Sequence, residues 1–145
     1  MNGPTLLLIA AVLDFALALL HVAMLPFGSR AYAYFGAGEA MVRGAQAGSL
    51  APHLITLGVA FVLVTFGLYA LSGAGMLSPW PLLRYVLAGV SGIYLLRGLA
   101  VLPQLITLMR GSSRIQPRHV GFSLVSLIVG IIHAIGTQAV WPYLP

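Results

Sequence analysis

Four stretches of the chain, residues 4–25, 51–71, 82–102 and 119–140, are apolar almost without interruption. A helix needs about 20 such residues to cross the hydrocarbon core of a bilayer. Proline marks the edges of these runs. Pro26, Pro52, Pro79, Pro81, Pro103, Pro117 and Pro142 all fall near proposed ends, and Pro4 suits a first helical turn. No proline lies inside a proposed span. The expectation is an all-α integral membrane bundle of four transmembrane helices, forming a single domain over residues 1–145.

Composition closes off the alternatives. Only 6% of the residues are charged and 60% are hydrophobic, whereas a soluble domain carries about 25% charged residues. So few charges cannot cover a water-facing surface. Cysteine is absent, which removes disulfides, thiolate nucleophiles, thiolate metal sites and iron–sulfur clusters. The N-terminal run has no basic residue before Arg30 and is longer than a signal-peptide core, so it reads as a retained first span.

All seven basic residues are arginine, and five of them, Arg30, Arg43, Arg110, Arg114 and Arg118, fall in the first and third connections. The opposite side has only Arg84, at a helix end. The net charge of +5 is therefore read as a topology signal and not as a nucleic-acid footprint. Positive charge marks the cytoplasmic side, which puts both termini outside and suggests a bacterial inner membrane. Trp80, Trp141 and Tyr143 would then form an outer aromatic belt, and Tyr32, Tyr34 and Phe35 an inner one. Within the long first connection, Glu39 and Arg43 have the spacing of a helical ion pair, so residues 37–47 are expected to form a short interfacial helix.

Polar residues inside the spans are the informative ones, because polar groups in hydrocarbon are costly. In the fourth span His119, Ser123, Ser126, Gly130, His133 and Thr137 are spaced 4, 3, 4, 3 and 4 apart, one narrow stripe of a helix. Small residues on such a stripe allow close helix packing; His133 asks for more. In the first span Ala10, Asp14, Ala18 and His21 share a face. Asp14 is the only acid within any span, so it is expected to be paired or protonated there. At about 1.5 Å per residue from the cytoplasmic ends, Asp14 lies roughly 18 Å up, Thr65 roughly 20 Å and His133 roughly 21 Å. The match makes Asp14 and His133 a candidate hydrogen-bonded pair, with Tyr69 about one turn further out. His21 and Arg97 fall in a lower layer roughly 8 Å up, with Tyr94 about one turn above Arg97. An arginine so near an interface can snorkel to headgroups.

These residues allow three kinds of chemistry. Asp14 with His133 would make a titratable, proton-linked pair. Small multidrug transporters are also four-span chains with an acid in the first span, but the long first connection departs from their compact form, and no further motif ties the chain to them. A single haem could be held by His119 with His21 or His53; no cofactor or metal is expected by default. Catalytic signatures are missing: there is no H-x-x-x-H, nucleophile elbow, phosphate loop or carboxylate cluster. The preferred reading is a non-enzymatic membrane protein that binds or moves a small amphiphilic or lipid-like ligand at Asp14, His133, His21, Arg97, Tyr94 and Tyr69. Its expected partners are membrane lipids and a homo-oligomer or larger membrane complex. The alternative is an accessory or scaffold subunit, and a haem- or quinone-linked redox or lipid-modifying enzyme comes third.

Overall fold

The computed structural model describes residues 2–111 and 116–144; Arg114, counted above among the topology signals, lies outside them. The described residues form helices α1 (Gly3–Met24), α2 (Ser29–Phe35), α3 (Glu39–Gln46), α4 (Ala51–Gly73), α5 (Leu83–Leu99), α6 (Val101–Met109) and α7 (Pro117–Val140). The chain is all-α, and four of its helical segments are long and apolar enough to cross a membrane: Gly3–Phe27, Ala51–Gly73, Leu83–Met109 and Pro117–Tyr143.

Local chemistry sets the helix ends. Asn2 caps α1, its side-chain oxygen accepting the Thr5 amide at 3.0 Å, with Pro4 following in the first turn. The Ser49 hydroxyl accepts the Ala51 amide at 3.2 Å as α4 begins, and Pro117 starts α7. Ser72 organises the turn after α4. Its hydroxyl donates to the Ser78 carbonyl at 2.9 Å and accepts the Trp80 amide at 3.2 Å.

The third apolar segment differs from the sequence expectation. It does not end at residue 102 but runs to Met109, so Pro103 lies inside it. Proline has no amide hydrogen and crowds the carbonyl four residues back, here that of Leu99. The helix breaks at Ala100 and resumes as α6. Proline interrupts this segment without terminating it.

The chain resolves into two compact units, one comprising Met1–Leu13 and Phe66–Pro145, the other Asp14–Thr65. In the first unit α5 and α7 pack antiparallel through glycine. A Cβ at Gly98 would lie 2.5 Å from the Leu127 Cα, and one at Gly130 would lie 2.8 Å from the Leu95 amide nitrogen. Leu7, Leu83, Leu87, Val140 and Leu144 form an apolar core at one end. There Arg84 donates to the Leu144 carbonyl, and its guanidinium lies 5.3 Å from the centre of the Trp141 ring.

In the second unit Gly44 of α3 meets Pro52 of α4, an added Cβ falling 3.1 Å from the proline ring. Tyr32 of α2 is buried, its hydroxyl accepting from Thr56 at 3.3 Å and its ring lying edge-on to His53 at 6.0 Å. Tyr32 is therefore a core residue and not part of an aromatic belt, and His53 is half-buried beside it. Glu39 and Arg43 form the expected ion pair at 2.9 Å, exposed on α3.

Candidate functional site

The polar stripe of the fourth span faces inward. Ser123, Gly130, His133 and Thr137 are buried, while His119 and Ser126 are half-buried. Tyr94, on α5, lies flat against His133, with ring centres 5.6 Å apart and planes 17° from parallel. Phe66 meets Tyr94 edge-on, with ring centres 6.1 Å apart. Ser91, one turn from Tyr94, satisfies its hydroxyl on the Leu87 carbonyl at 2.8 Å. Among the described residues, Ser123 Oγ and Thr137 Oγ1 are buried without a hydrogen-bond partner.

The Tyr94–His133 contact corrects the depth reckoning. Counting from residue 102 put Tyr94 well below His133. Counted from Met109, Tyr94 lies about 22 Å up and His133, counted from Pro117, about 24 Å. The seven residues of helix beyond Leu102 account for the slip.

The other sequence candidates lie as follows. Asp14 is wholly buried on the inward face of α1, with Ala10 and Ala18 also buried, and is not without a partner. His21 is half-buried, and its Nδ1–H donates to the Leu17 carbonyl at 2.8 Å. Tyr69 donates to the Pro81 carbonyl at 3.2 Å and meets Trp80 edge-on at 5.1 Å, which makes it a brace for the turn. Arg97 is exposed. Within the first unit, then, Tyr94 and His133 come together with the small residues of α7, while Tyr69 and Arg97 stand apart from them.

Space for a ligand is closed at the level of Gly130. Where a single methyl group would collide with the backbone of Leu95 and come within 3.0 Å of Tyr94, no ligand passes between α5 and α7. A cavity of about 430 Å³ opens instead in the second unit, at the end of α1. Leu20, Met24 and Phe27 line one side; Arg30, Tyr34 and Phe35 of α2 line the other. The site is an open groove along the helix surface and not an enclosed pocket. The walls are almost wholly apolar and the rim carries one guanidinium. Among the described residues Arg30 has no hydrogen bond or ion pair. The one sequence signal for this cavity is Arg30 itself, a charge just beyond the apolar Leu20–Phe27 stretch. The arginine's value as a topology charge masks it.

Among the described residues no group of three or more His, Asp or Glu side chains could hold a metal ion. Comparison with known protein families, with curated proteins and with solved structures finds no match.

Proposed function

We propose that the chain is a multi-pass membrane protein that binds an anionic amphiphile in the cavity between the end of α1 and α2. The observation that carries this reading is Arg30, a cation with no ion pair among the described residues, at the rim of a cavity with apolar walls. Arg30 lies three residues beyond Phe27, where the first membrane-length segment ends, so it falls at the depth of lipid headgroups. A carboxylate or phosphate would meet the guanidinium there, and the acyl chain would run along Phe27, Met24 and Leu20 toward the bilayer centre. The arginine-rich connections support cytoplasmic placement of this end, and hence extracytoplasmic termini.

The test is binding of a fluorescent fatty acid to the purified protein in neutral detergent, with a phosphatidic acid analogue as competitor. Arg30→Gln is expected to weaken binding roughly tenfold, the loss of one charge-assisted hydrogen bond. Phe27→Ala is expected to weaken it without changing the preference for anions. Competition by the phosphatidic acid distinguishes a phosphate ligand from a carboxylate one. Equal affinity of wild type and Arg30→Gln would remove the proposal. The Gly130 contact supports a second reading, an accessory subunit whose inward polar residues only set helix packing; a chain that binds no amphiphile at all is the outcome that favours it.

A further inference from the structure

Arg97 lies in the last turn of α5 but near the middle of the longer apolar segment Leu83–Met109. At about 1.5 Å per residue the segment is about 40 Å long, and Arg97 is about 21 Å from its start and about 18 Å from its end. A hydrocarbon core of about 30 Å centred on that segment places the Arg97 backbone about 13 Å inside its boundary. The side chain is exposed, and among the described residues it makes no ion pair or hydrogen bond. Arginines at the ends of a membrane-length segment reach headgroups along their stems; this one starts near the middle of its segment.

The same face of α5 carries Gly89, Ile93 and Leu96, all exposed, and a Cβ built at Gly89 meets nothing within 4 Å. A second helix can therefore approach closely about two turns from the charge. The sequence holds only two acidic side chains. Asp14 is wholly buried, and Glu39 is joined to Arg43 at 2.9 Å. Neither offers a free carboxylate to Arg97 of another copy, so charge complementarity points to a different chain.

We propose that the Gly89–Arg97 face of α5 docks a transmembrane helix of another protein that carries a carboxylate near its middle. This rests on the membrane-spanning reading and is independent of the Arg30 cavity. The probe is a synthetic oligoleucine transmembrane peptide with one central Asp, compared with the all-Leu peptide. Both are reconstituted with the full chain in phosphatidylcholine vesicles. Because the chain has no cysteine, a single Met109→Cys substitution takes the donor dye for energy transfer.

The Asp peptide is expected to associate about tenfold more tightly than the Leu peptide. Arg97→Leu should erase that preference, Arg97→Lys should retain part of it, and Gly89→Leu should weaken both peptides. Equal binding of the two peptides to wild type, or a preference that survives Arg97→Leu, overturns the proposal. So does a preference that disappears when phosphatidylglycerol replaces part of the phosphatidylcholine, since a lipid headgroup would then hold Arg97. Arg97 and Gly89 are exposed, so these variants should fold; matching helicity by circular dichroism checks that each comparison is of folded protein.

Discussion

A methyl group added at Gly98 would lie 2.5 Å from the Cα of Leu127, and neither backbone can step aside without separating α5 from α7. Gly98→Ala and Gly130→Ala are therefore expected to destabilise by about 1–3 kcal/mol, the usual scale of overpacking. Gly89→Ala, with open space around it, should be neutral or slightly stabilising. Reversible denaturation in mixed micelles measures all three, and equal effects at Gly98 and Gly89 would contradict the packing. The Tyr94–His133 stack gives a second expectation: Tyr94→Leu should lose about 0.5–1.5 kcal/mol beyond the change in buried area. The inward face of α7 was legible at this scale, because polar groups repeating at helical spacing in an apolar run must turn away from lipid. The role of Tyr94 was not. Its partner depended on a register that sequence placed about two turns lower.

Pro103 interrupts the third apolar segment without ending it. The residue does break the helix, at Ala100, but the apolar pattern continues to Met109 on its far side. Pro103→Ala should restore an amide donor to the Leu99 carbonyl and merge α5 with α6. Slower hydrogen exchange across residues 100–104 is the expected sign, and unchanged exchange would mean that the packing of Gly98 on Leu127, and not the proline, sets the break. In the first connection, the Glu39–Arg43 spacing was enough to find α3. Helix α2 has no comparable signal, since its seven residues gain their order from Tyr32 buried against Thr56 and His53, contacts made far along the chain.

For the whole molecule, hydropathy alone foretold four membrane-length helices, because nothing else accommodates so many uninterrupted apolar residues. The ligand cavity was hidden from it, as its walls come from two helices joined by a tight turn at Leu25–Phe27 and Gly28. The arginine-rich connections predict that a reporter fused after residue 145 reads as extracytoplasmic; cytoplasmic activity there would invert the orientation and carry Arg30 to the outer leaflet. The most direct test of amphiphile binding is a crystal structure of the chain with a fatty acid brominated near its methyl end. Anomalous density for bromine is expected beside Leu20 and Met24, with the carboxylate within hydrogen-bonding distance of Arg30. Bromine confined to the detergent belt, or a carboxylate held away from Arg30, would contradict it.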